Sequence, residues 1–382
     1  MARDFHPEGV PLIRLAGLKR GVPLLTGCDF LDGEKVSQRW AHFRLQQGDV
    51  LLSTSASLGE IATVDASGVD AIAYTGIIRF RPKGGRIHGQ FIPYALTAPS
   101  FKHQIEAVGG GSVIKHFGPT HLRQMTVCVP PLREQQAIAE VLGALDNKIA
   151  VNERTAATAL SLAEALYVRD SASEQGWHEV ALGETAHWRS GGTPKTSEPS
   201  YWGGDIPWIS AASLKSPWLD DSERKVTQLG AENGTRLVPA DTIVFVVRGM
   251  SLTSEFRVGL TQCEVAFGQD CKALVPHPGI DSAVLLLALR SRTREILSLV
   301  ETAGHGTGRL GTDRIEKLRV RLPAGEAGAA FTETVRSLTQ HASAVQRENR
   351  ALASLRSTLL PQLVTGKIHV KDAVRVVEGV AL

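Results

Sequence analysis

The residues best suited to chemistry lie beside short glycine-rich stretches. Gly304-His305-Gly306-Thr307-Gly308 looks like a nucleotide-binding glycine loop, but such a loop must connect a strand to a helix. Here it follows a stretch with helical spacing, so we do not expect it to bind a dinucleotide or S-adenosylmethionine. His116 and His305 lie beside such loops and could ligate a metal. We expect hydrogen-bonding roles for both, because the twelve histidines lack metal-ligand spacing.

The sequence lacks the motifs of several common catalytic sites. It has no GxxxxGK[ST] phosphate loop, no HExxH metal motif, no GxSxG nucleophile elbow and no Asn-Pro-Pro-Tyr motif of amino-methyltransferases. We therefore expect the chain to hold no catalytic residue, no metal and no cofactor.

Composition and charge describe a globular chain without a membrane segment. Of its 382 residues 43% are hydrophobic, and 42 Lys and Arg against 39 Asp and Glu leave a net charge of +3. This balance excludes a histone-like polycation but permits a local basic cleft. The length favours two domains, and no apolar run approaches the roughly 18 residues of a membrane span. The start of the sequence has no apolar signal region.

Cysteine usage points to a reducing compartment. The four cysteines form no CxxC pair, and they are Cys28, Cys128, Cys263 and Cys271. We expect neither structural zinc nor disulfides, and we expect a cytoplasmic protein.

The chain repeats itself in three places that keep the same order, which indicates a duplicated unit. The matches are Gly9–Ile13 with Asp205–Ile209 at a shift of 196 residues, Leu45–Val50 with Leu237–Thr242 at 192, and Phe117, Val127 and Pro130 with Leu310, Val320 and Pro323 at 193.

Each copy has the same predicted layout. Short β-rich runs come first, at Asp49–Ser55, Ala71–Arg81, Asp241–Arg248 and Val265–Val275. A helical stretch follows, Phe91–Val108 in the first copy and Asp281–Ala303 in the second. A glycine-rich loop and a short strand that ends at a proline complete each copy.

A heptad pattern follows each copy. Residues that are apolar or small, apart from Asn152 and Asn349, alternate at spacings of 4 and 3 from Ile138 to Leu166 and from Phe331 to Leu352. The second row then continues to Leu359 with spacings of 3 and 4. A sustained period of 3.5 residues is typical of long coiled-coil helices, and 36 helical residues from Leu132 to Tyr167 would span about 54 Å. We expect the two helices to pair within the chain. The alternative is that each helix only caps its own domain, which would leave much of its apolar stripe uncovered.

Three segments carry a family resemblance. They are Ser190–Ile209 (SGGTPKTSEPSYWGGDIPWI), Pro130–Ala139 (PPLREQQAIA) and Leu359–Ile368 (LLPQLVTGKI). In this order they resemble the specificity (S) subunit of type I restriction–modification systems, the HsdS family, over nearly the whole chain. The resemblance implies an α+β fold with two similar target-recognition domains, each β-rich with a helix. Two long antiparallel coiled-coil helices would join these domains about a pseudo-twofold axis.

The corresponding domain limits follow the prolines and the heptads. We predict a first target-recognition domain at 1–131, which is short at its N-terminus, a spacer helix at 132–170, a second target-recognition domain at 171–325, a second spacer helix at 326–361 and a tail at 362–382.

The sequence departs from the family pattern in two places. The first copy has no counterpart of Trp177–Ser200, so either its true start lies upstream or the tail Ile368–Leu382 packs there and completes the domain. In the second copy Ala324–Gly328 replaces the Arg-Glu-Gln-Gln sequence, and its small residues should weaken the start of the second helix.

The resemblance implies that the chain reads a bipartite, asymmetric target in double-stranded DNA. Base reading and phosphate contacts require polar and basic side chains on loops. The candidates in the first copy are Thr54, Ser55, Ser57, Lys115 and His116, and those in the second are Thr193, Lys195, Arg248, Ser251 and Arg309. We expect Tyr201, Trp202 and Trp208 to pack in the core or in turns rather than to stack on bases.

The resemblance also implies that other subunits perform the chemistry. These would be two modification (M) subunits that use S-adenosylmethionine and, where present, restriction (R) subunits that use ATP and Mg²⁺. Glu134, Gln135 and Gln136 are the interface candidates. Two alternatives remain, a stand-alone coiled-coil scaffold or regulator that binds DNA without a methylase, and a self-contained modification enzyme.

Overall fold

The computed structural model describes residues 5–19, 21–109, 116–303 and 306–380. The chain divides into two compact units. Unit 1 contains Met1–Val151 and Glu348–Leu382, and unit 2 contains Asn152–Arg347. Each unit has a β-rich domain and part of each of two long helices. The domain limits drawn from the sequence, which separate the helices from the domains, stay a prediction.

The described strands are short, and seven belong to unit 1. They are β1 (Phe5–His6), β2 (Val10–Ile13), β3 (Asp29–Leu31), β4 (Val50–Ser53), β5 (Ile61–Thr63), β6 (Ile72–Ala73) and β7 (Ile77–Phe80). The strands of unit 2 are β8 (Trp177–Ala181), β9 (Ala186–Ser190), β10 (Trp202–Ile209), β11 (Trp218–Leu219), β12 (Lys225–Val226), β13 (Leu237–Val238), β14 (Ile243–Val246), β15 (Arg248–Gly249), β16 (Val258–Thr261), β17 (Val265–Phe267), β18 (Cys271–Pro276), β19 (Val300–Ala303), β20 (Thr307–Leu310) and β21 (Arg319–Pro323).

Two of the described helices are much longer than the rest. The α-helices are α1 (Gly33–Lys35), α2 (Ile92–Thr97), α3 (Pro99–Gly109), α4 (Pro119–Leu122), α5 (Leu132–Asp170), α6 (Gln228–Gly234), α7 (Ser282–Ser291), α8 (Thr293–Ser298), α9 (Thr312–Ile315), α10 (Gly325–Val364) and α11 (Val370–Val380). Short 3-10 turns and one π-helical turn (Val36–Trp40) connect the other elements.

The two units build their sheets with the same strand pairings. In unit 1 the sheets have the orders β1-β3-β2-β6 and β5-β4-β7. Unit 2 repeats these pairings in the sheets β12-β10-β17-β13 and β11-β16-β14-β18-β9, and adds the sheets β15-β20-β19 and β21-β8. In both units the strand that carries the first sequence match, β2 or β10, runs parallel to a short strand, β6 or β17.

The registers agree residue by residue, which confirms the duplication. The pairs Val10–Leu31 and Leu12–Ile72 in unit 1 correspond to Ile206–Val226 and Trp208–Ala266 in unit 2. The first sequence match, at a shift of 196 residues, therefore pairs residues that are equivalent in the structure.

The second sequence match is wrong by one residue. In unit 1 the N–H of Gly48 donates to Val64 O, and in unit 2 the N–H of Asp241 donates to Thr261 O. Gly48 and Asp241 also share a positive φ, 85° and 62°. The true shift is thus 193 rather than 192. Sequence comparison missed this because Asp49 and Asp241 align by type, whereas the turn requires the left-handed backbone at Gly48 and Asp241.

Several predicted elements change in the structure. The helical stretch Asp281–Ala303 ends earlier, because Val300–Ala303 forms β19 and pairs with β20. The glycine-rich run therefore follows a strand, contrary to the expectation from sequence, but it joins two antiparallel strands and opens no helix. Its own Gly304 and His305 lie outside the described residues. In unit 1, Pro99 divides the helical stretch into α2 and α3.

The described part of unit 1 lacks strands that unit 2 has. In unit 2, β21 pairs with β8 and β18 pairs with β9. The described part of unit 1 forms no strand at 123–130, so the strand expected before Pro130 is absent there. The tail forms the helix α11 and packs with α2, α5 and α10 through Ala373 and its neighbours. As a helix it supplies no strand partner to β7.

The long helices α5 and α10 pack against each other in antiparallel orientation. In unit 1 the apolar seam includes Leu142 and Leu145 of α5 with Leu352 and Leu359 of α10. Asn349 donates a hydrogen bond from Nδ2 to Ile149 O across the seam (3.0 Å). A polar group at such a position fixes the register of paired helices.

The same helices form a second seam inside unit 2. Ala159, Ala163 and Tyr167 of α5 belong to one core with Val335 and Ala342 of α10. The Tyr167 ring lies 6.4 Å from that of Phe331, and its O–H donates to Arg321 O (2.8 Å). Burial raises the pKa of Tyr167 to about 12, so the hydroxyl keeps its proton and this bond.

An apolar helix attaches the β-rich domain of unit 2 to both long helices. Every residue of α7 from Ala283 to Leu289 is buried. Asp281 caps its N-terminus by accepting from Ala283 N (3.0 Å) and also pairs with Arg336 of α10 (2.8 Å). At the other end Arg290 pairs with Glu164 of α5. The sheet of this unit is therefore held to α5 and α10 by packing and by two ion pairs.

The start of α10 is not as weak as its composition suggests. The helix begins at Gly325, where φ is 68°, and continues through the small residues to Val364. Pro361 lies in its last turns, and Gly366 (φ 70°) follows the end. Among the described residues no helix combines the length and the apolar character that crossing a bilayer requires.

Removing apolar volume from the seam should destabilise the protein. Leu142 of α5 is fully buried, so Leu142→Ala should lower the free energy of unfolding by about 2–4 kcal/mol through the cavity it leaves. The matched control is Leu162→Ala, on an exposed position of the same helix, which should change it by less than about 0.5 kcal/mol. Urea denaturation followed by circular dichroism measures both, and equal values would contradict a packed seam.

Candidate DNA interface

The same backbone hydrogen bonds frame the candidate segments in both units. The residue that follows β4 or β14 donates a backbone hydrogen bond to a turn between two later strands. Its carbonyl accepts one from a segment more than 60 residues further along the chain. The bonds are Thr54 N to Gly76 O (2.7 Å) and Phe117 N to Thr54 O (3.1 Å) in unit 1, and Val247 N to Asp270 O (2.8 Å) and Leu310 N to Val247 O (2.9 Å) in unit 2. We call this arrangement the reading frame of each unit.

The reading frame presents candidate residues in opposed pairs. In unit 1 Ser55 forms an isolated antiparallel bridge with His116, and in unit 2 Arg248 of β15 lies opposite Arg309 of β20. Both pairs are related by a shift of 193 residues. In each unit the structure therefore brings together two residues that lie 61 positions apart in the sequence. The side chains at equivalent positions of the two units differ.

The unit 2 pair is a concentrated positive charge. Residues directly opposite each other in an antiparallel pair point to the same face of the sheet, and like charges there repel. Arg248 and Arg309 are both exposed, and among the described residues neither guanidinium has a hydrogen-bond or ion-pair partner. On the far side of Arg309, Glu301 is paired with Arg314 of α9 (2.5 Å). This face suits an anion or the acceptor edge of a guanine.

The other candidates of unit 1 differ in accessibility. Thr54 is only 5% exposed, because its backbone occupies the centre of the reading frame. Ser57 is exposed, and its carbonyl accepts a hydrogen bond from Ser53 Oγ in the turn after β4. Lys115 lies outside the described residues. In unit 2, Ser251 is half-buried in the 3-10 turn Met250–Thr253 that follows β15.

Two tryptophans hold the loop that carries Thr193 and Lys195. The indole N–H of Trp208 donates to Gly192 O (3.1 Å) and that of Trp202 donates to Lys195 O (3.2 Å). The loop leaves Lys195 exposed and Thr193 half-buried. It adjoins the reading frame, since Gly192 N–H donates to Phe267 O (2.9 Å), close to the turn that holds Val247.

The aromatic residues of this loop pack as expected. Trp208 is buried, and the guanidinium of Arg224 covers the face of Trp202 at 3.7 Å from the ring centroid. Arg224 thus occupies one face of Trp202, and the Trp208 ring lies edge-to-face with it at 5.4 Å between centroids. Arg224 is an exposed cation beside Lys195 that the sequence did not reveal, because a single arginine in a loop forms no pattern.

The three interface candidates at the start of α5 separate into two kinds. Glu134 and Gln136 are exposed. Gln135 is 0% exposed, and its amide accepts from His88 N (2.8 Å) and donates to Arg86 O (3.0 Å) and Pro130 O (2.8 Å). A partner could reach its side chain only by breaking these bonds. Gln135 therefore fixes the first turn of α5 to the loop at 86–88.

Metal and thiol chemistry find little support in the described residues. No group of three or more His, Cys, Asp or Glu side chains is arranged there to hold a metal ion. Burial, with a smaller effect from Asp270, raises the pKa of Cys271 to about 12, so this thiol is not a nucleophile at neutral pH. Burial also raises the pKa of Cys263. The paired residues Ser55 and His116 carry a hydroxyl and an imidazole, which can donate and accept hydrogen bonds.

Comparison with known proteins identifies the family. The family model described as "Type I restriction modification DNA specificity domain" matches residues 29–160 and 174–352. The chain belongs to this family. Its two matched segments fall in the two copies of the duplication.

Curated relatives of the chain are named specificity subunits of type I restriction enzymes. The chain is 28% identical over 191 residues to the type I restriction enzyme EcoR124I/EcoR124II specificity subunit of Escherichia coli, which covers 48% of this chain and 47% of the relative. It is 23% identical over 354 residues to the MjaIX specificity subunit of Methanocaldococcus jannaschii, covering 85% and 79%. The match thus spans about half of the first relative and most of the second.

A solved structure shares the fold. The crystal structure of a type I restriction–modification S subunit from M. genitalium aligns with a TM-score of 0.58 and 18% identity, over 95% of this chain and 91% of that one. The fold class predicted from the sequence, α+β with two similar domains and a pair of long antiparallel helices, is confirmed. Membership of the specificity-subunit family, expected from the sequence, is confirmed by the family model and the curated relatives.

The structural role of Gln135 can be tested by comparing its replacement with that of the adjacent exposed residue, Gln136. Gln135→Ala should lower the free energy of unfolding by about 1–3 kcal/mol, because it leaves buried backbone groups without partners. Gln136→Ala, on the exposed adjacent position, should have an effect below about 0.5 kcal/mol. Thermal and urea unfolding of the two variants decide the point, and a Gln135→Ala protein as stable as the control would refute the assigned role.

Proposed function

We propose that the chain recognises a bipartite, asymmetric sequence in double-stranded DNA and directs partner methyltransferase and restriction subunits to it. Each unit reads one half of the target. Family membership supports this function, as do the curated relatives named specificity subunits of type I restriction enzymes.

One observation carries the proposal, namely that a common reading frame presents different side chains. Ser55 and His116 in unit 1 stand where Arg248 and Arg309 stand in unit 2. Arginine pairs with the O6 and N7 acceptors of guanine or with phosphate, whereas serine and neutral histidine donate or accept single hydrogen bonds. Two readers with the same backbone and different side chains would recognise two different half-sites, so the target is asymmetric.

The long helices would set the distance between the half-sites. As helices of 39 and 40 residues, α5 and α10 have lengths of about 58 and 60 Å. Successive positions on one face of DNA are separated by about 34 Å, one helical turn. A helix pair of this length is sufficient to carry two readers at that separation, and the bases between the half-sites go unread.

The chemistry belongs to partner subunits in this proposal. Two modification subunits would supply S-adenosylmethionine-dependent methylation, and restriction subunits, where present, would use ATP and Mg²⁺. Glu134 and Gln136, exposed at the start of α5, remain contact candidates. The other DNA-contact candidates are Ser57, Lys115, Thr193, Lys195 and Ser251, with Thr54 acting through its backbone.

Charge removal from unit 2 should change only one half of the target. Arg248→Ala and Arg309→Ala should each weaken DNA binding by roughly 1–3 kcal/mol and relax base preference in a single half-site. The control is Arg294→Ala, which removes the same charge from an exposed position on α8. The chain is co-expressed with its modification subunits, and DNA methylation is mapped by sequencing.

The reciprocal variants complete this test. His116→Ala and Ser55→Ala should affect the other half-site and leave the first unchanged. Equal changes in both halves, or an effect of Arg294→Ala as large as that of Arg309→Ala, would contradict the division between the units.

Lengthening the helices should change spacing without changing the half-sites. Four residues inserted after Val151 in α5 and four after Arg347 in α10 add about 6 Å to each helix and rotate the seam by only about 40° beyond one turn. Methylation mapping should show the same half-sites with a different spacer. Insertion into α5 alone shifts the seam and should abolish methylation, whereas a changed half-site sequence would refute the proposed role of the helices.

A further inference from the structure

The reading frame of unit 2 contains an enlarged turn. Equivalent backbone hydrogen bonds flank this turn in the two units, from Ser53 N to Glu60 O (2.9 Å) in unit 1 and from Val246 N to Arg257 O (3.0 Å) in unit 2. The bonded positions are seven residues apart in unit 1 (53 to 60) and eleven apart in unit 2 (246 to 257). Unit 2 therefore has four additional residues beside its opposed arginines.

The enlarged turn is fixed on its inner side. It contains the 3-10 turn Met250–Thr253, whose Leu252 is 1% exposed and belongs to the core of unit 2. The hydroxyl of Thr253 donates to Met250 O (2.8 Å). Gly308 of β20 allows the turn to lie close to the strand, because a Cβ at this glycine would lie 2.8 Å from the Cβ of Leu252. Packing thus holds the turn in one position.

The first residue of this turn carries an apolar side chain into solvent. Met250 is 73% exposed, more than any other large hydrophobic residue in the described part of the chain. Single exposed hydrophobic residues are common on protein surfaces, so this exposure becomes informative only through its position. At a shift of 193 residues the equivalent of Met250 is Ser57, one of the DNA-contact candidates of unit 1.

The charges around Met250 indicate what it contacts. Arg248 lies two residues away, so the two Cα atoms are at most about 8 Å apart. Arg248 is opposite Arg309, and both arginines are exposed. An apolar side chain beside two exposed cations suits a polyanion that also carries an apolar group. DNA has this chemistry, because its phosphates flank a major groove in which the 5-methyl group of thymine is the apolar group on the base edges.

We propose that Met250 is a specificity-determining residue of unit 2, and that its side chain packs on the 5-methyl group of a thymine in the major groove. This inference rests on the proposed DNA recognition and adds the identity of one base. Arg248 and Arg309 supply the polar contacts to the same half-site. The equivalent Ser57 has no comparable apolar side chain, so this contact belongs to one half-site only.

The test removes the methyl group from the DNA. The half-site that Arg248→Ala alters must contain a thymine on one of its strands. A fluorescent duplex with the mapped target is compared with duplexes in which uracil replaces each thymine of that half-site in turn. Uracil keeps the hydrogen-bonding groups of thymine and lacks only the methyl group. At one position the complex of the chain with its modification subunits should bind the uracil duplex about fourfold more weakly, the factor that one buried methyl group contributes.

Variants of Met250 assign this effect to the side chain. Met250→Ala should bind the thymine duplex at least about fourfold more weakly, and it should bind the thymine and uracil duplexes equally. Met250→Leu keeps an apolar side chain and should keep the preference for thymine. Leu162→Ala is the control, since it removes an exposed apolar side chain from α5, and it should bind both duplexes as the unmodified chain does. Circular dichroism checks that each variant folds.

Four results would overturn the inference. They are a half-site of unit 2 without thymine, equal binding of the thymine and uracil duplexes by the unmodified complex at every position, a full uracil effect in Met250→Ala, and loss of the modification subunits from Met250→Ala in size-exclusion chromatography. The last result would assign Met250 to a protein contact. A complex that methylates no defined target would refute the proposed function itself, and this inference with it, before any uracil duplex is made.

Discussion

The antiparallel packing of α5 against α10 is the constraint on which the rest of the structure depends. Helices of 39 and 40 residues present more apolar stripe than either small β-rich domain can cover, so each helix needs the other. The seam is built of leucines in unit 1 and largely of alanines beside aromatic rings in unit 2. Ion pairs from α7 then attach the sheet of unit 2 to this seam, so the position of its reading frame is determined by the helices.

Local sequence patterns predicted the elements that depend on local interactions. The stretch 132–170 contains no proline and a regular 3.5-residue period, and it forms one helix. Matches spaced by about 193 residues were sufficient to predict two related domains. The strand β19 was missed because apolar residues at 296 and 300 fit a helical period, while the pairing with β20 that makes Val300–Ala303 a strand is a tertiary contact.

The candidate site was predictable in composition but not in accessibility. Polar residues beside glycine-rich loops were recognised from the sequence, and the structure does pair Arg248 with Arg309. The burial of Thr54 and Gln135 could not be read, since it depends on partners 22 residues or more away, such as Gly76 and His88. The sequence showed no first-copy counterpart of Trp177–Ser200. Only the structure shows that Val127 and Val129 of unit 1 are exposed, whereas Val320 and Leu322 of unit 2 are buried.

The reading frame has a consequence for how such a protein diversifies. Its hydrogen bonds join backbone to backbone, so they do not depend on which side chains stand at positions 55, 116, 248 and 309. His116, Arg248 and Arg309 are exposed and Ser55 is half-buried, so we expect small polar replacements at these positions to leave the fold intact. Under the function we propose, single substitutions at these positions would give new specificities without unfolding the protein and without any change in the partner subunits.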